Sequence, residues 1–258
     1  INRIAAGEVV ERPLDVVKEL VENAIDAGAS SISISIEDGG KNLISVSDNG
    51  CGMTRDDLEL AVERHATSKL QEEDINNIEF FGFRGEALPS IAAVSKMKIT
   101  SKAVGSENAY QITIHGGDKL GLQPASRTSG TTIEVRDLFA FTPARLRFLK
   151  SERAETAAIT DLIERLAFQH HNIEFRLIQD GKEICHFPKM ALDDLISRAE
   201  YVFGKTFSEN MELINYSQDG ITVSGLIGSP TFNHKTSSKM YHYVNGRMVK
   251  DKLLIYAT

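Results

Sequence analysis

The chain has 258 residues, of which 41% are hydrophobic and 25% are charged, and its formal net charge is −7. These values are ordinary for a globular protein, and the length allows one large domain or two ordinary ones. The negative net charge argues against a surface that is basic overall and binds nucleic acid, although it permits a local basic groove. No apolar run is long enough to span a bilayer. The first residues do not have the pattern of a signal peptide, but the sequence begins at Ile1 rather than at a methionine, which leaves an export signal open.

The cysteines and histidines do not predict a metal site or a disulfide framework. Cys51 and Cys185 have neither disulfide nor zinc-ligand spacing. Four histidines are spaced irregularly, which favours surface or core positions: His65, His170, His171 and His186. Together with the composition, these features favour the cytosol.

The first predicted element is an amphipathic helix, VVKELVENAIDAG, from Val16 to Gly28. Its apolar face comprises Val17, Leu20, Val21 and Ala24, and Gly28 is suited to a left-handed cap. The opposite face carries Glu19, Asn23 and Asp26, which lie within about 60° of one another. One interpretation is a solvated surface, but such a face usually mixes charge signs to form i,i+4 pairs.

The following segments predict hairpins and further helices. Apolar and polar residues alternate in SSISISIEDGG and in NLISVSDNG, so these two segments should pair as an antiparallel hairpin. TRDDLELAVERHATSKL and GEALPSIAAVS are predicted helices, the first with a threonine cap and the second with Pro89 near its first turn. Strands KMKITSKA, AYQITIHGG and GTTIEVRDL follow, then a long helix RAETAAITDLIERLAFQHH and strands IEFRLIQDG and KEICHF.

Because the strands come in hairpin pairs, the pattern favours an antiparallel α+β layer over a doubly wound sheet. A second unit is expected after the helix ALDDLISRAEYVFG, with strands ITVSGLIGS and KMYHYVNGRMV and a final helix KDKLLIYAT. We assign residues 1–200 to the first domain and residues 201–258 to the second. The second is thin for a free-standing core, so we expect it to be truncated.

Three short motifs suggest a phosphate or nucleotide ligand, although each has a simpler interpretation. SDNGCGM places Asp48 before Gly50 and Gly52, which would also suit a plain turn with an Asx hydrogen bond. GFRGEAL, residues 82–88, combines flexible backbone N–H groups, an arginine and a helix start, all suited to a phosphate. GTT, residues 130–132, begins a strand with hydroxyls. No G-x-x-x-x-G-K-[ST] motif occurs.

Taken together, the order and spacing of these motifs resemble the GHKL ATPase superfamily. The longer words IAAGEVVERP, VVKELVENAIDAGA, DNGCGM, RHATSK, GFRGEAL, FTPAR and YVNGR resemble the MutL mismatch-repair family, of bacterial type. They extend from Ile4 to about Lys252. The resemblance implies a Bergerat-type α/β sandwich with an antiparallel or mixed sheet. A smaller second domain, similar to domain 2 of ribosomal protein S5, would follow.

The resemblance also implies an ATP site that uses Mg²⁺. Glu19 would be the general base for the attacking water, and Asn23 would hold Mg²⁺ through its amide oxygen. Asp48 would accept a hydrogen bond from the adenine amino group. Gly50 and Gly52 would let the backbone approach the base, and Thr131 would contribute a hydroxyl there. Further nucleotide contacts would come from Met53, Thr67, Ser68, Lys69, Gly82, Phe83, Arg84, Gly85 and Leu88. Asp26 would support the fold.

For the whole protein, the resemblance implies that ATP binding and hydrolysis gate dimerisation into a DNA clamp, which couples mismatch recognition to strand incision and removal. Arg247, Lys250 and Lys252 would line the DNA groove, mostly through phosphate contacts. Partners would be DNA, a second copy of the chain, a MutS-type recognition protein and a MutH-type endonuclease or helicase, with no membrane. The expected location is cytoplasmic and nucleoid-associated.

Two rival interpretations and one departure accompany this resemblance. The family's second domain supplies a lysine to the γ-phosphate from a segment beyond Thr258, so we expect weak or absent hydrolysis by the chain as given. One rival is a non-enzymatic DNA-binding scaffold in which Glu19 is structural. The other is a different GHKL enzyme, such as a kinase or a topoisomerase subunit, which GFRGEAL and FTPAR disfavour.

Overall fold

The computed structural model describes residues 10–63, 86–191, 195–232, 239–245, 247–249 and 251–257, with only the backbone described for Arg247. Contacts divide the chain into two units. The first comprises Ile1–Ile163 and Ile173–His186, and the second comprises Glu164–Asn172 and Phe187–Thr258. The predicted domain boundary at residue 200 stays a prediction.

Element labels count the helices and strands of the described residues. The first part of the chain contains α1 (Pro13–Asp26), β1 (Ser31–Glu37), β2 (Leu43–Asp48), α2 (Arg55–Leu60), α3 (Ala87–Val94), β3 (Lys96–Lys102), β4 (Ala109–His115), β5 (Asp118–Ala125), β6 (Gly130–Arg136), α4 (Glu152–Gln169), β7 (Glu174–Gln179) and β8 (Lys182–Phe187). The later part contains α5 (Leu195–Phe203), α6 (Lys205–Ser208), β9 (Met211–Gln218), β10 (Ile221–Gly228), β11 (His242–Val244), β12 (Arg247–Val249) and α7 (Lys252–Ala257). Short 3₁₀ helices lie at Asp38–Gly40 and Pro143–Phe148. Within the described residues, none of the helices has the length and apolar character needed to cross a membrane.

The first unit is built on an eight-stranded sheet with the order β5-β4-β3-β6-β2-β1-β7-β8. The predicted hairpin of β1 and β2 is confirmed, since the two strands pair antiparallel. Strand β7 pairs with β1 in parallel, whereas β6 pairs antiparallel with both β2 and β3. The sheet is therefore mixed, and the α+β fold expected from the resemblance is confirmed.

One face of this sheet forms the core of the first unit. The register places Ile34 opposite Val46 and Leu177, so the three side chains share one face, and all three are buried. The predicted apolar face of α1 is buried as well, and α1 contacts β1 and β2. Each aliphatic side chain buried in this layer contributes about 1.5–3 kcal/mol of transfer free energy. This packing fixes α1 against the strand that carries Asp48.

Several predicted element boundaries differ from the structure. Strands β5 and β9 were not predicted, and β5 is an edge strand that accommodates Gly121 and Pro124. Helix α2 ends at Leu60 instead of continuing, because the chain turns and buries Val62. KMYHYVNGRMV forms two strands rather than one, since Asn245 adopts a φ of 48° between them. The rest of the predicted helix through HATSKL lies outside the described residues.

The second unit has a small core of its own around α5. Arg198 is fully buried, and its Nε donates to the carbonyl of Ala167 at 2.7 Å. The Phe203 ring lies 5.4 Å from that of Phe168 and 5.2 Å from that of Tyr241, between ring centroids. Strands β9 and β10 pair antiparallel as a separate two-stranded sheet.

Candidate nucleotide-binding site

Asp48, the last residue of β2, lies at the centre of the candidate site. Its exposed fraction is only 8%. Its Oδ1 accepts from the backbone N–H of Gly50 at 2.8 Å and from that of Thr131 at 3.3 Å. Both bonds go to the same oxygen, and Oδ2 accepts no hydrogen bond from the part of the chain that the structure describes. One carboxylate oxygen is therefore fixed by the backbone, and the other is left to accept from a ligand.

Burial sets the protonation behaviour of this carboxyl group. Removal from water raises the pKa of Asp48 above its usual value of 3.8, and this is the largest effect on it. The hydrogen bonds from Gly50 and Thr131 and the positive charge of Arg127 oppose the rise. Among the described residues, Arg127 is the charged group that acts on Asp48.

The turn that follows Asp48 is anchored at several points by its own polar groups. The Asn49 side-chain Oδ1 accepts from the backbone N–H groups of Ser30 and Ser31, at 2.9 and 3.0 Å. The Cys51 N–H donates to the carbonyl of Ala27 at 2.9 Å, directly after α1. The turn is therefore tied to both the start of β1 and the end of α1.

The two glycines of this turn are required by the chain's own packing. A Cβ at Gly50 would lie 2.7 Å from the Ala27 carbonyl oxygen. A Cβ at Gly52 would lie 2.0 Å from the Lys102 carbonyl oxygen, and Gly52 has a φ of 67°. Both distances are too short for any larger residue. Both glycines are therefore required because backbone segments of this protein come close together at these positions.

A small polar network joins the turn to β3 and β6. Thr131 is buried, and its hydroxyl lies 2.9 Å from the hydroxyl of Ser101. Ser101 also accepts from the Met53 N–H at 2.8 Å. Gly130 lies so close to Asp48 that an added Cβ would be 2.2 Å from the Asp48 carbonyl oxygen. The structure therefore brings together the predicted residues Asp48, Gly50, Gly52, Met53 and Thr131.

Sequence reasoning missed two residues of this network, Ser101 and Arg127. Ser101 lies within β3, and Arg127 lies in the loop before β6. Arg127 donates to the backbone carbonyls of both Asp48 and Thr131. Neither residue carries a local sequence signal for this role, because their hydrogen-bond partners are distant in the sequence.

The C-terminal end of α1 lies next to this network, because the Ala27 carbonyl accepts from the Cys51 N–H. Glu19, Asn23 and Asp26 are half-buried on a helix whose following residue, Ala27, contacts the turn. The neighbouring Glu22 has a raised pKa, mainly because it is buried; the charge and hydrogen bond of Lys18 oppose this rise, and the charges of Glu19 and Asp26 add to it. This part of the helix is therefore predominantly acidic, with Lys18 paired to Glu22. Gly28, at φ 70°, confirms the predicted left-handed residue after the helix.

The other predicted residues are placed only in part. Leu88 is half-buried near the start of α3. Lys252 is exposed at the start of α7 in the second unit, and Arg247 lies in β12. The remaining predicted residues lie outside the described residues: Thr67, Ser68, Lys69, Gly82, Phe83, Arg84, Gly85 and Lys250. The described part of the chain holds no cluster of three or more His, Cys, Asp or Glu side chains that could bind a metal ion.

The fold and the site define an ATPase domain of the GHKL class. The family model of histidine kinase-, DNA gyrase B- and HSP90-like ATPases matches residues 12–139, which include α1, the Asp48 turn and β6. The model of the DNA mismatch repair protein C-terminal domain matches residues 199–258. The chain belongs to the MutL family of DNA mismatch repair proteins.

Similar proteins support this membership along the whole chain. MutL from Paramagnetospirillum magneticum is 49% identical over all of this chain, and MutL from Rickettsia bellii is 51% identical over 98% of it. The chain spans less than half of these relatives, 43% and 42% of their lengths. The Aquifex aeolicus MutL ATPase domain complexed with ADP superposes with a TM-score of 0.76, at 32% identity, covering 95% of this chain and 86% of that one.

Proposed function

We propose that this chain binds ATP with Mg²⁺, with Asp48 recognising the adenine base, and that the full-length protein hydrolyses the bound ATP. The observation that carries the proposal is the buried Asp48 carboxylate, whose Oδ1 is held by two backbone N–H groups while Oδ2 accepts from no described residue. An ionised carboxylate is purely an acceptor, so it suits the exocyclic amino group of adenine and disfavours a purine with a carbonyl there. The related Aquifex domain is complexed with ADP.

The arrangement along α1 supports the assignment of the phosphate end. Ala27 marks where the helix meets the Asp48 turn, since its carbonyl accepts the Cys51 N–H at 2.9 Å. At 1.5 Å of rise per residue, Asn23 lies about 6 Å and Glu19 about 12 Å along the helix axis from Ala27. This order agrees with the order of base, inner phosphates and terminal phosphate in a bound ATP.

The residues of α1 fit Mg²⁺ as a cofactor. Mg²⁺ prefers oxygen ligands, usually takes few from the protein and keeps several waters. The Asn23 amide offers such an oxygen on a helix that also carries the carboxylates of Glu19 and Asp26. A bound Mg²⁺ would neutralise phosphate charge, and Asn23 would orient it.

In the proposed reaction, Glu19 accepts a proton from the water that attacks the terminal phosphorus. The water oxygen forms the new bond to phosphorus, and the bond to the bridging oxygen of ADP breaks. Positioning and charge stabilisation supply most of the catalysis in such reactions. A well-placed general base adds about 10²- to 10⁴-fold. The glycine-rich segment at residues 82–85 and the segment at residues 67–69 are proposed to contact the phosphates.

The remaining assignments concern the whole protein. We propose that ATP binding closes two copies of the protein into a clamp on DNA, and that hydrolysis resets it. Arg247, Lys250 and Lys252 would contact DNA phosphates, and a MutS-type protein and a MutH-type endonuclease or helicase would act with the clamp. A cytoplasmic, nucleoid-associated location follows from that role.

The substitution Asp48→Asn tests the nucleotide assignment. Asn places an NH₂ group where the proposal needs an acceptor, so we expect the ADP affinity measured by calorimetry to fall at least about 100-fold. Asp137→Asn is the matched control, because Asp137 is exposed, pairs with Lys96 at 2.8 Å and has a φ of 51°, which Asn tolerates. Unchanged ADP binding by a folded Asp48→Asn chain would contradict the proposal.

A further inference from the structure

Arg127 lies beside the adenine end of the proposed site, but it is not among the nucleotide-binding residues that the sequence predicts. Its guanidinium Nη2 donates to the Asp48 carbonyl at 2.5 Å and to the Thr131 carbonyl at 2.9 Å. Its Nη1 donates to the Thr132 hydroxyl, and Ser47 lies at the weak limit of 3.4 Å. One side chain thus joins the end of β2 to the start of β6.

The location matters because the ladder between these two strands stops there. The pairing of β2 with β6 ends at Ser47 and Thr132, one residue before Asp48 and Thr131. Beyond that point, the direct link between Asp48 and Thr131 is the 3.3 Å bond from the Thr131 N–H to Asp48 Oδ1. That bond is longer than the usual 2.9–3.0 Å, so by itself it joins the two strand ends weakly; the shorter bond from the Gly50 N–H lies within the Asp48 turn. Arg127 supplies the second bridge.

We propose that Arg127 is a positioning residue for base recognition: by bridging the Asp48 and Thr131 carbonyls, it holds the Asp48 carboxylate at the angle that reads the adenine amino group. This inference rests on the proposed function. Arg127 reaches the backbone of Asp48 and acts through it, so Arg127 is not itself a nucleotide contact. Selection of adenine over guanine then depends on both residues.

Arg127 is held in this position at an energetic cost. Its Nε is buried and makes no hydrogen bond to any described residue. Burial lowers the pKa of Arg127, and the Asp48 charge opposes this effect. A half-buried guanidinium whose buried Nε has no hydrogen-bond partner among the described residues is a poor choice for stability alone. Its charge also opposes the burial-driven rise in the pKa of Asp48, which favours the ionised, hydrogen-bond-accepting form of the carboxyl group.

The test is calorimetric titration of the 258-residue chain with ADP and with GDP from pH 5 to 8, for the unsubstituted protein, Arg127→Gln, Arg127→Lys and the control Arg136→Gln. Arg136 lies at the far end of β6, with an exposed side chain that pairs with Glu134. For Arg127→Gln, we expect the ADP affinity to fall at least about tenfold while the GDP affinity changes little, since one charge-assisted bridge is lost. The pH at which ADP binding weakens should also move upward.

Arg127→Lys separates charge from geometry and serves if Arg127→Gln does not fold. It should lower the ratio of ADP to GDP affinity while leaving the pH midpoint near that of the unsubstituted protein. Equal losses for the two nucleotides, or unchanged affinities in both Arg127 variants, would overturn the inference. If the unsubstituted chain itself failed to bind ADP, the proposed function would be rejected instead, so the two failures are distinguishable.

Discussion

The two ends of the proposed site are built differently. At the base end, Asp48, Asn49, Cys51 and Met53 are each held by hydrogen bonds to other segments of the chain. At the phosphate end, Glu19 and Asn23 lie half-buried along one face of α1, which is positioned by the apolar packing of its opposite face. The base end is therefore a rigid, preformed acceptor, whereas the phosphate end is a charged helix face suited to a cation and a nucleophile.

This difference indicates how the two ends should respond to substitution. A change at the base end disturbs backbone contacts that also support the fold, so affinity and stability should fall together. A polar change on α1 leaves the buried apolar face intact, so chemistry should change without loss of stability. Substitutions at the two ends show whether these two responses can be separated.

The largest expected effect comes from Glu19→Gln at the phosphate end. In the full-length protein, removing the proton acceptor should lower the single-turnover rate of ATP hydrolysis at least about 100-fold. ADP affinity and the unfolding midpoint should remain within about twofold and a few degrees of the parent values, because Gln has nearly the same shape. Rapid-quench assays and calorimetry on the same preparations provide the two readings. Equal hydrolysis by the two proteins would leave Glu19 with a structural role only.

The base end is tested sterically by Gly52→Ala. Its Cβ would overlap the Lys102 carbonyl oxygen at 2.0 Å, and the residue would keep a φ of 67°. We expect the free energy of unfolding to fall by about 2–4 kcal/mol, from overlap and backbone strain together. Denaturant titration measures it.

Gly181→Ala is the matched control for that experiment. Gly181 has a similar φ of 78°, and an added Cβ meets nothing within 4 Å. The free energy of unfolding of Gly181→Ala should therefore fall by only about 1–2 kcal/mol, the cost of an alanine in a left-handed backbone conformation. ADP affinity should be unchanged. Similar losses of stability and affinity for both variants would mean that the contact at Gly52 is not what shapes the base end.

The same contrast explains which features the sequence could predict. The hairpin of β1 and β2, the helix α1 and the roles suggested for Asp48 and Thr131 depend on local periodicity and on motif words. Ser101 and Arg127 carried no such signal, because their partners lie far away: Ser101 contacts Thr131 30 residues later, and Arg127 contacts Asp48 79 residues earlier. Tertiary hydrogen bonds of this kind follow from sheet order, which a single sequence does not specify.

Strand β5 was missed for a related reason. Its sequence DKLGLQPA contains Gly121 and Pro124, which usually argue against a strand, and nearly all of it is exposed. Its pairing with β4 at the edge of the sheet supplies the missing stabilisation. Edge position, like the polar network of the site, is a property of the assembled sheet.

A smaller effect is expected from the titration of Asp48. Its pKa is raised in the folded chain above 3.8, so its contribution to stability is fully present below pH 3.8 and is lost as the pH rises through the folded pKa. The unfolding free energy of the unsubstituted protein should therefore increase relative to that of Asp48→Asn as the pH falls through this range. Denaturant titrations of both proteins at a series of pH values measure the difference. A pH-independent difference would show that burial does not perturb this carboxyl.

The smallest effect concerns a residue that belongs to neither end of the site. Lys252→Glu should lower DNA affinity several-fold and reduce the slope of log affinity against log salt by about 1, as expected for the loss of one phosphate contact. Lys205→Glu makes the same charge change at a side chain that is 72% exposed and pairs with Glu209. ADP affinity should stay constant in both variants, because neither nucleotide end is altered. Equal salt slopes for the two variants would trace any loss of DNA binding to net charge, and the groove assignment for Lys252 would be wrong.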